Sequence, residues 1–144
     1  MENFSFFLKT KVDFGLDRIN SLSDYCKALN GKKIMIVTDS NLLEIGLIDP
    51  IKEQLAANGI AYYVFSEVEQ NPVVKLIDKG IETCKKHGCD LIVAIGGGSS
   101  IDTAKGIAVG AVNEGSCYDY LDGRGEDKKE ILEKPLAIIA IPTT

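Results

Sequence analysis

Short, unbroken apolar runs alternate along the chain with stretches whose apolar residues recur at three- and four-residue steps. An unbroken run of a few branched residues suits a strand buried on both faces of a parallel sheet, whereas the three-and-four spacing lays one apolar stripe along a helix. Alternation of the two predicts an α/β domain. Ile34-Met-Ile-Val37 is the first such run and ends at Thr38-Asp39-Ser40. Residues 60–65 form a second, Leu91-Ile-Val-Ala-Ile95 is the strongest, and Leu136-Ala-Ile-Ile-Ala-Ile141 is predicted as a last buried strand. Residues 4–8 and 12–14 have the look of a short N-terminal hairpin or edge pair.

The helical stretches fill the gaps. Leu16, Ile19, Leu22, Cys26 and Leu29 form one stripe, and Gly31 is expected to stop it, as glycine does just past a helix end. Asp49-Pro50 opens a helix that runs to Asn58-Gly59, with proline suited to the first turn. Asn71-Pro72 begins another, turning Val73, Leu76, Ile77, Ile81 and Cys84 inward, and a further helix carries Ile101, Ala104, Ala108, Ala111 and Val112 on one face. Residues 113–134 are polar and glycine-bearing and are predicted as mostly loop. The result is a Rossmann-like, mostly parallel sheet with helices on both faces. The residues stop at the carboxyl end of a strand, where a covering crossover normally follows, so the chain is expected to be a truncated piece of a longer protein.

Composition narrows the function. With 144 residues, 45% hydrophobic and 26% charged, the chain has the size and core of one ordinary domain. A net charge of −5 argues against nucleic acid as a partner, because binding along a phosphate backbone requires clustered cations. Lys32-Lys33, Lys85-Lys86 and Lys128-Lys129 are short enough to be solvated element ends. No run approaches the roughly 18 apolar residues of a membrane span, and the N-terminus shows no cationic-then-apolar signal pattern. A cytoplasmic protein with no membrane partner is expected, its four cysteines reduced. Cys84-x-x-His87-x-Cys89 offers zinc-ligand types, yet its spacing fits no standard knuckle and a fourth ligand is missing. The plainer account is a helix ending at residues 86–88 with Cys89 entering the next strand.

Gly96-Gly-Gly-Ser-Ser-Ile-Asp102 lies between a buried strand and a helix. Glycines let a ligand approach the backbone, and free amides at a helix N-terminus hold an anion with help from the helix dipole. Three glycines in a row exceed the needs of a turn, so phosphate binding is favoured over a mere strand-to-helix connection. Ser99 or Ser100 is a candidate helix cap, and Ser99-x-x-Asp102 resembles a capping box. The loop is not a P-loop, since Gly-Lys-Ser/Thr is absent. Asp39, at the carboxyl end of another strand, is the candidate for the ribose, or alternatively a helix N-cap. Ligands of open α/β sheets gather at such strand ends, and Asp39, the glycines and Thr143-Thr144 all occupy them. Ser99 and Ser100 are not nucleophile candidates, because the sole histidine, His87, precedes its strand and so lies at the opposite edge.

Asp90-Leu-Ile-Val-Ala-Ile-Gly-Gly-Gly-Ser-Ser-Ile-Asp-Thr-Ala-Lys105, followed by Pro135-Leu-Ala-Ile-Ile-Ala-Ile-Pro-Thr-Thr144, resembles the iron-containing (group III) alcohol dehydrogenases over essentially the whole chain. The resemblance implies that residues 1–144 are the dinucleotide-binding domain of an NAD-dependent oxidoreductase, joined in the family to an all-helical domain that binds Fe²⁺. It further implies that Gly97, Gly98 and Ser99 hold the pyrophosphate and that Thr143 and Thr144 line the adenine and ribose side. Asn71 would lie by the cofactor, Asp102 near its nicotinamide half, and Asp39 at the adenosine ribose. The family's metal ligands, one aspartate and three histidines, come from the helical domain. This chain has a single histidine, so no catalytic or metal-ligating residue is assigned to it. The implied partners are a small alcohol or aldehyde and further copies of the chain as a homo-oligomer. A relative of glycerol dehydrogenase or dehydroquinate synthase, and a non-catalytic nucleotide-binding module, remain alternatives.

Overall fold

The structure, a computed structural model, describes residues 9–123 and 125–143. Strands β1 (Lys33–Val37), β2 (Ala61–Phe65), β3 (Leu91–Gly96) and β4 (Ala137–Pro142) form one sheet in the order β2-β1-β3-β4, and every pairing is parallel. Val37 stands beside Phe65 and Ala94, and Gly96 beside Pro142. All four carboxyl ends therefore share one edge. Helix α1 (Leu22–Ala28) precedes β1, and helices α2 (Ser40–Glu44), α3 (Asp49–Ala57), α4 (Val74–His87) and α5 (Gly98–Gly110) supply the crossovers that parallel strands need.

The strand period of two sorts the core into two layers. Ile34 and Ile36 of β1, with Leu91, Val93 and Ile95 of β3, face Leu22 and Cys26 of α1 and Ile51 and Leu55 of α3. Met35, Val37, Ile92 and Ala94 face the other way, against Ile81 and Cys84 of α4 and Ala104, Ile107 and Ala108 of α5. Apart from Lys33 at the start of β1, both central strands are fully buried, which is why they read as unbroken apolar runs.

Helices α4 and α5 approach closely because glycines and isoleucines interlock. A Cβ on Gly80 would lie 2.4 Å from Ile107 Cδ1, one on Gly106 2.6 Å from Ile77 Cγ2, and one on Gly110 2.2 Å from Ile81 Cδ1. Each isoleucine fills the space a side chain would need. Gly110→Leu is therefore expected to lower stability by at least the 1–3 kcal/mol typical of overpacking, roughly, because both the helix spacing and Ile81 must give way. Urea unfolding followed by circular dichroism checks this, and an unchanged midpoint would refute it.

Several expectations are corrected. Residues 12–14 form no strand: they are irregular, with Phe14 98% exposed. Asp13 is instead gripped by Arg18 Nη2 at 2.9 Å, Lys11 Nζ at 3.3 Å and the Tyr25 hydroxyl. The predicted partner segment, residues 4–8, lies outside the described residues. Of the first helical stripe only Leu22 and Cys26 reach the core. Asp17 adopts φ 57° and a 3-10 turn at Arg18–Ser21 follows, so α1 starts late and leaves Leu16 and Ile19 outside it. Asn30, not Gly31, takes the left-handed position that ends α1 (φ 59°). Gly31 packs close, with a Cβ there falling 2.8 Å from Leu91 Cδ2.

Helix α4 begins at Val74 rather than at Asn71-Pro72, because Asn71 sits at φ 54° and breaks the helical path. The last strand is only partly covered: β4 pairs with β3 alone and forms the sheet edge among the described residues. Its entry is set by Asn113, whose Oδ1 accepts from Leu132 N and Glu133 N and whose Nδ2 donates to Val109 O and Glu133 O. The predicted loop carries two 3-10 turns, Cys117–Tyr120 and Gly125–Asp127. No helix among the described residues is long and apolar enough to cross a membrane.

Candidate dinucleotide-binding site

Strand order decides where a ligand fits. The crossovers after β1 and after β3 lead to opposite sides of the sheet, so a crevice opens between the carboxyl ends of these two neighbours. Such switch points are where open α/β sheets bind ligands. Here the crevice is an open groove of about 430 Å³, lined by Asp39, Ser40, Asn41, Val68, Glu69, Gln70, Gly97, Gly98, Ser99 and Ser100.

One wall is the β3–α5 turn. Gly96 ends the strand at φ 140°, a conformation few side chains tolerate, and a Cβ on it would meet Ser100 Oγ at 2.5 Å. The chain then enters α5 through Gly97, the N-cap, which makes no side-chain capping hydrogen bond. The predicted capping box does not form. Because the helix starts at Gly98, Ser99 is already inside its first turn, and Asp102 pairs with Lys105 Nζ at 2.9 Å instead. The first amides of α5 are thus left without a side-chain cap, facing the groove. Nothing lies within 4 Å of a Cβ built on Gly98, so a ligand has room to approach the backbone there. Uncapped amides, a dipole of 13 helical residues and open space suit a diphosphate.

The opposite wall is the β1–α2 turn. Asp39 is the N-cap of α2, and its Oδ1 accepts from Leu42 N at 3.0 Å. Asp39 thus caps a short helix and also lines the groove. Beside it Thr38 Oγ1 is buried without a hydrogen-bond partner among the described residues. The third wall, Val68 to Gln70, follows β2 and is tied in by Val68 N donating to Thr38 O at 3.3 Å. The sequence patterns missed these residues. The strand-end rule, applied to β2 as it was to β1 and β3, points to them.

The remaining candidates fall around this groove. Thr143 is held beside it by its amide, which donates to Gly96 O at 3.1 Å. Asn71 follows Gln70 directly in an exposed left-handed turn. Asp102 stands one turn along α5, exposed, and does not line the groove. Thr144 lies outside the described residues. No group of three or more His, Cys, Asp or Glu among the described residues could hold a metal ion, so they do not fit the family's iron. Cys84, His87 and Cys89 converge on none: the helix ends at His87, whose ring stacks on Tyr63 at 3.9 Å.

Residues 9–144 match the sequence pattern of a known family, described as iron-containing alcohol dehydrogenase. Among curated proteins, choline dehydrogenase of Bacillus subtilis is 40% identical over the whole chain, which spans 36% of that protein. The 1,3-propanediol dehydrogenase of Citrobacter freundii is 40% identical over 91% of the chain and 33% of its own length. Among solved structures, NADH-dependent butanol dehydrogenase A of Thermotoga maritima superposes with a TM-score of 0.87 at 32% identity, over 99% of this chain and 35% of that one. The chain thus spans about a third of the length of the proteins it matches. With the family pattern covering nearly every residue and the fold superposing on a solved member, the chain belongs to the iron-containing alcohol dehydrogenase family.

Proposed function

We propose that this chain is the cofactor-binding part of an NAD-dependent alcohol dehydrogenase. The observation that carries the proposal is the groove itself, where the uncapped amides of α5 stand opposite the carboxylate of Asp39. The names of the relatives agree: each is a dehydrogenase of an alcohol, and one is NADH-dependent.

The roles follow from the walls. Gly97, Gly98 and Ser99 hold the pyrophosphate through backbone amides, which neutralise the anion without net positive charge. Asp39 accepts from the adenosine ribose hydroxyls. Thr143, and with it Thr144 by the family resemblance alone, serves the adenine and ribose side, Asn71 lies by the cofactor, and Asp102 serves the nicotinamide side. Its exposed pairing with Lys105 is a weak restraint. When bound, the nicotinamide exchanges a hydride with an alcohol or aldehyde carbon. This chain's contribution is to fix the dinucleotide at the sheet edge so that its nicotinamide reaches beyond these residues. The described residues offer no ligand set for iron, and no step through a metal is assigned to them.

The test compares the 144-residue chain with a protein of the relatives' length. Calorimetry is expected to show NAD binding to both, weaker for the short chain. Turnover of small alcohols with added Fe²⁺ is expected from the long protein only, since a catalytic metal site commonly needs about three protein ligands. Absence of NAD binding to the long protein would remove the proposal. Iron-dependent turnover by the short chain would overturn the division into a cofactor part and a metal part.

A further inference from the structure

All four cysteines are buried and free, and two of them meet. Helix α4 ends at His87, and Gly88 turns left-handed at φ 63°. Cys89 N then donates to Cys84 O at 3.1 Å and Gly88 N to Lys85 O at 3.1 Å. This pair of bonds is a Schellman closure, a turn that folds the chain back so that residues five apart touch through their side chains. The contact is usually made by two hydrocarbons. Here it is made by two thiols in one core cluster, with Cys84 Sγ also donating to Cys89 O at 3.7 Å.

We propose that Cys84 and Cys89 form an oxidation site, converted by hydroperoxides into an intramolecular disulfide that clamps the end of α4 to the start of β3. The two sulfurs are not equivalent. A second interaction, hydrogen bonding of the Cys84 thiol to the Cys89 sulfur, and, against the effect of burial, the nearby Lys33 ammonium hold the Cys89 thiol below its usual range. The same hydrogen bond and burial push Cys84 well above it. Cys89 is the attacking sulfur, since the thiolate is the nucleophile. It is flanked by exposed Gly88 and Asp90, so a small opening of the turn admits a peroxide.

The chemistry balances with the hydroperoxide as oxidant. The Cys89 thiolate attacks one peroxide oxygen and the O–O bond breaks, giving a sulfenic acid and, after protonation, water or the corresponding alcohol. Cys84 sulfur then attacks the sulfenic sulfur, and the displaced hydroxyl leaves as water with the Cys84 proton. Two electrons pass from the sulfur pair to the peroxide.

The other cysteines provide an internal comparison. Burial raises Cys26 to about 11, on the opposite face of the sheet. Burial, with Asp78 adding to it, pushes Cys117 up to about 12. Its sulfur lies by Val74 O, ten residues and therefore roughly 15 Å along α4 from Cys84. Neither has a partner thiol in reach.

The experiment treats the folded full chain with hydrogen peroxide, blocks remaining thiols in denaturant, and digests with trypsin. Lys85 and Lys86 lie between the two cysteines, so their peptides stay joined only through a disulfide. The expected result is a joined Cys84–Cys89 species that separates on reduction, with Cys26 and Cys117 recovered as free thiols. In Cys84→Ser the reaction should stop at a Cys89 sulfenic acid, captured by dimedone. Recovery of both thiols unoxidised, oxidation of Cys26 or Cys117 as fast as the pair, or a Cys89 sulfinic acid in the parent without the joined species would each overturn the proposal. The parent's peptide map decides the matter even if the variant fails to fold.

Discussion

Replacing Gly98 by valine is expected to weaken NAD binding about a hundredfold or more, because hydrogen bonds to charged groups contribute roughly 1.5–3 kcal/mol each and at least two amides would lose theirs. The folded structure should survive the change. Gly98 is the first residue of α5, it is absent from the glycines with positive φ, and a Cβ there meets nothing within 4 Å. A β-branched residue at an exposed helical position costs under about 1 kcal/mol. The isopropyl group would occupy the space through which a diphosphate must approach the amides. Gly96 cannot serve the same test: its φ of 140° and its contact with Ser100 mean that any side chain there disturbs the turn itself. Calorimetry with NAD, beside circular dichroism and a thermal melt, separates the two effects. Unchanged affinity would reduce the three glycines to a strand-to-helix turn.

What could be read from the residues alone follows from the range over which each feature is determined. The four strands were legible as unbroken apolar runs, which burial on both faces explains for β1 and β3 but not for the partly covered edge strands β2 and β4, and β1 and β3 appear within one residue of their expected ends. Asp39 and the glycines were legible because a strand end is a local feature and the rule that ligands gather there needs no contact map. The interlocked glycines of α4 and α5 were not. Whether Gly110 faces Ile81 or solvent depends on how two helices pack, which no local pattern encodes. Helix α2, at five residues, is too short to show a period, and only its cap at Asp39 signalled it. Val12-Asp-Phe14 has the alternation of a strand, but a strand exists only by pairing, and none of the described residues pairs with it. Ser99-x-x-Asp102 matched a capping box in letters. The helix start at Gly98 moved the frame, and the serine that matched lies inside the first turn.

Asp39→Gly is expected to narrow the preference for NAD over NADP by about tenfold or more, since two like charges near 4 Å repel by about 1 kcal/mol in water and about 4 kcal/mol at an effective dielectric of 20. Asp39 stands at the carboxyl end of β1, partly buried, on the groove wall facing the α5 amides. A ribose with two hydroxyls can donate to its carboxylate. A 2′-phosphate in the same place brings negative charge against it and removes a donor. One carboxylate oxygen is already engaged, accepting from Leu42 N at 3.0 Å, which fixes the group's direction rather than leaving it to swing away. That bond is also why glycine is the informative replacement. Glycine is tolerated at an N-cap for a few tenths of a kcal/mol, whereas alanine there costs about 1 kcal/mol and would mix a stability loss into the binding measurement. Titrating both cofactors against parent and variant gives the ratio directly. Repeating it at higher ionic strength adds a second check, because a partly exposed charge pair is screened by salt and the parent's preference should shrink accordingly. Equal affinities in the parent, or a ratio that glycine leaves unmoved, would detach Asp39 from the ribose and leave it only the cap of α2.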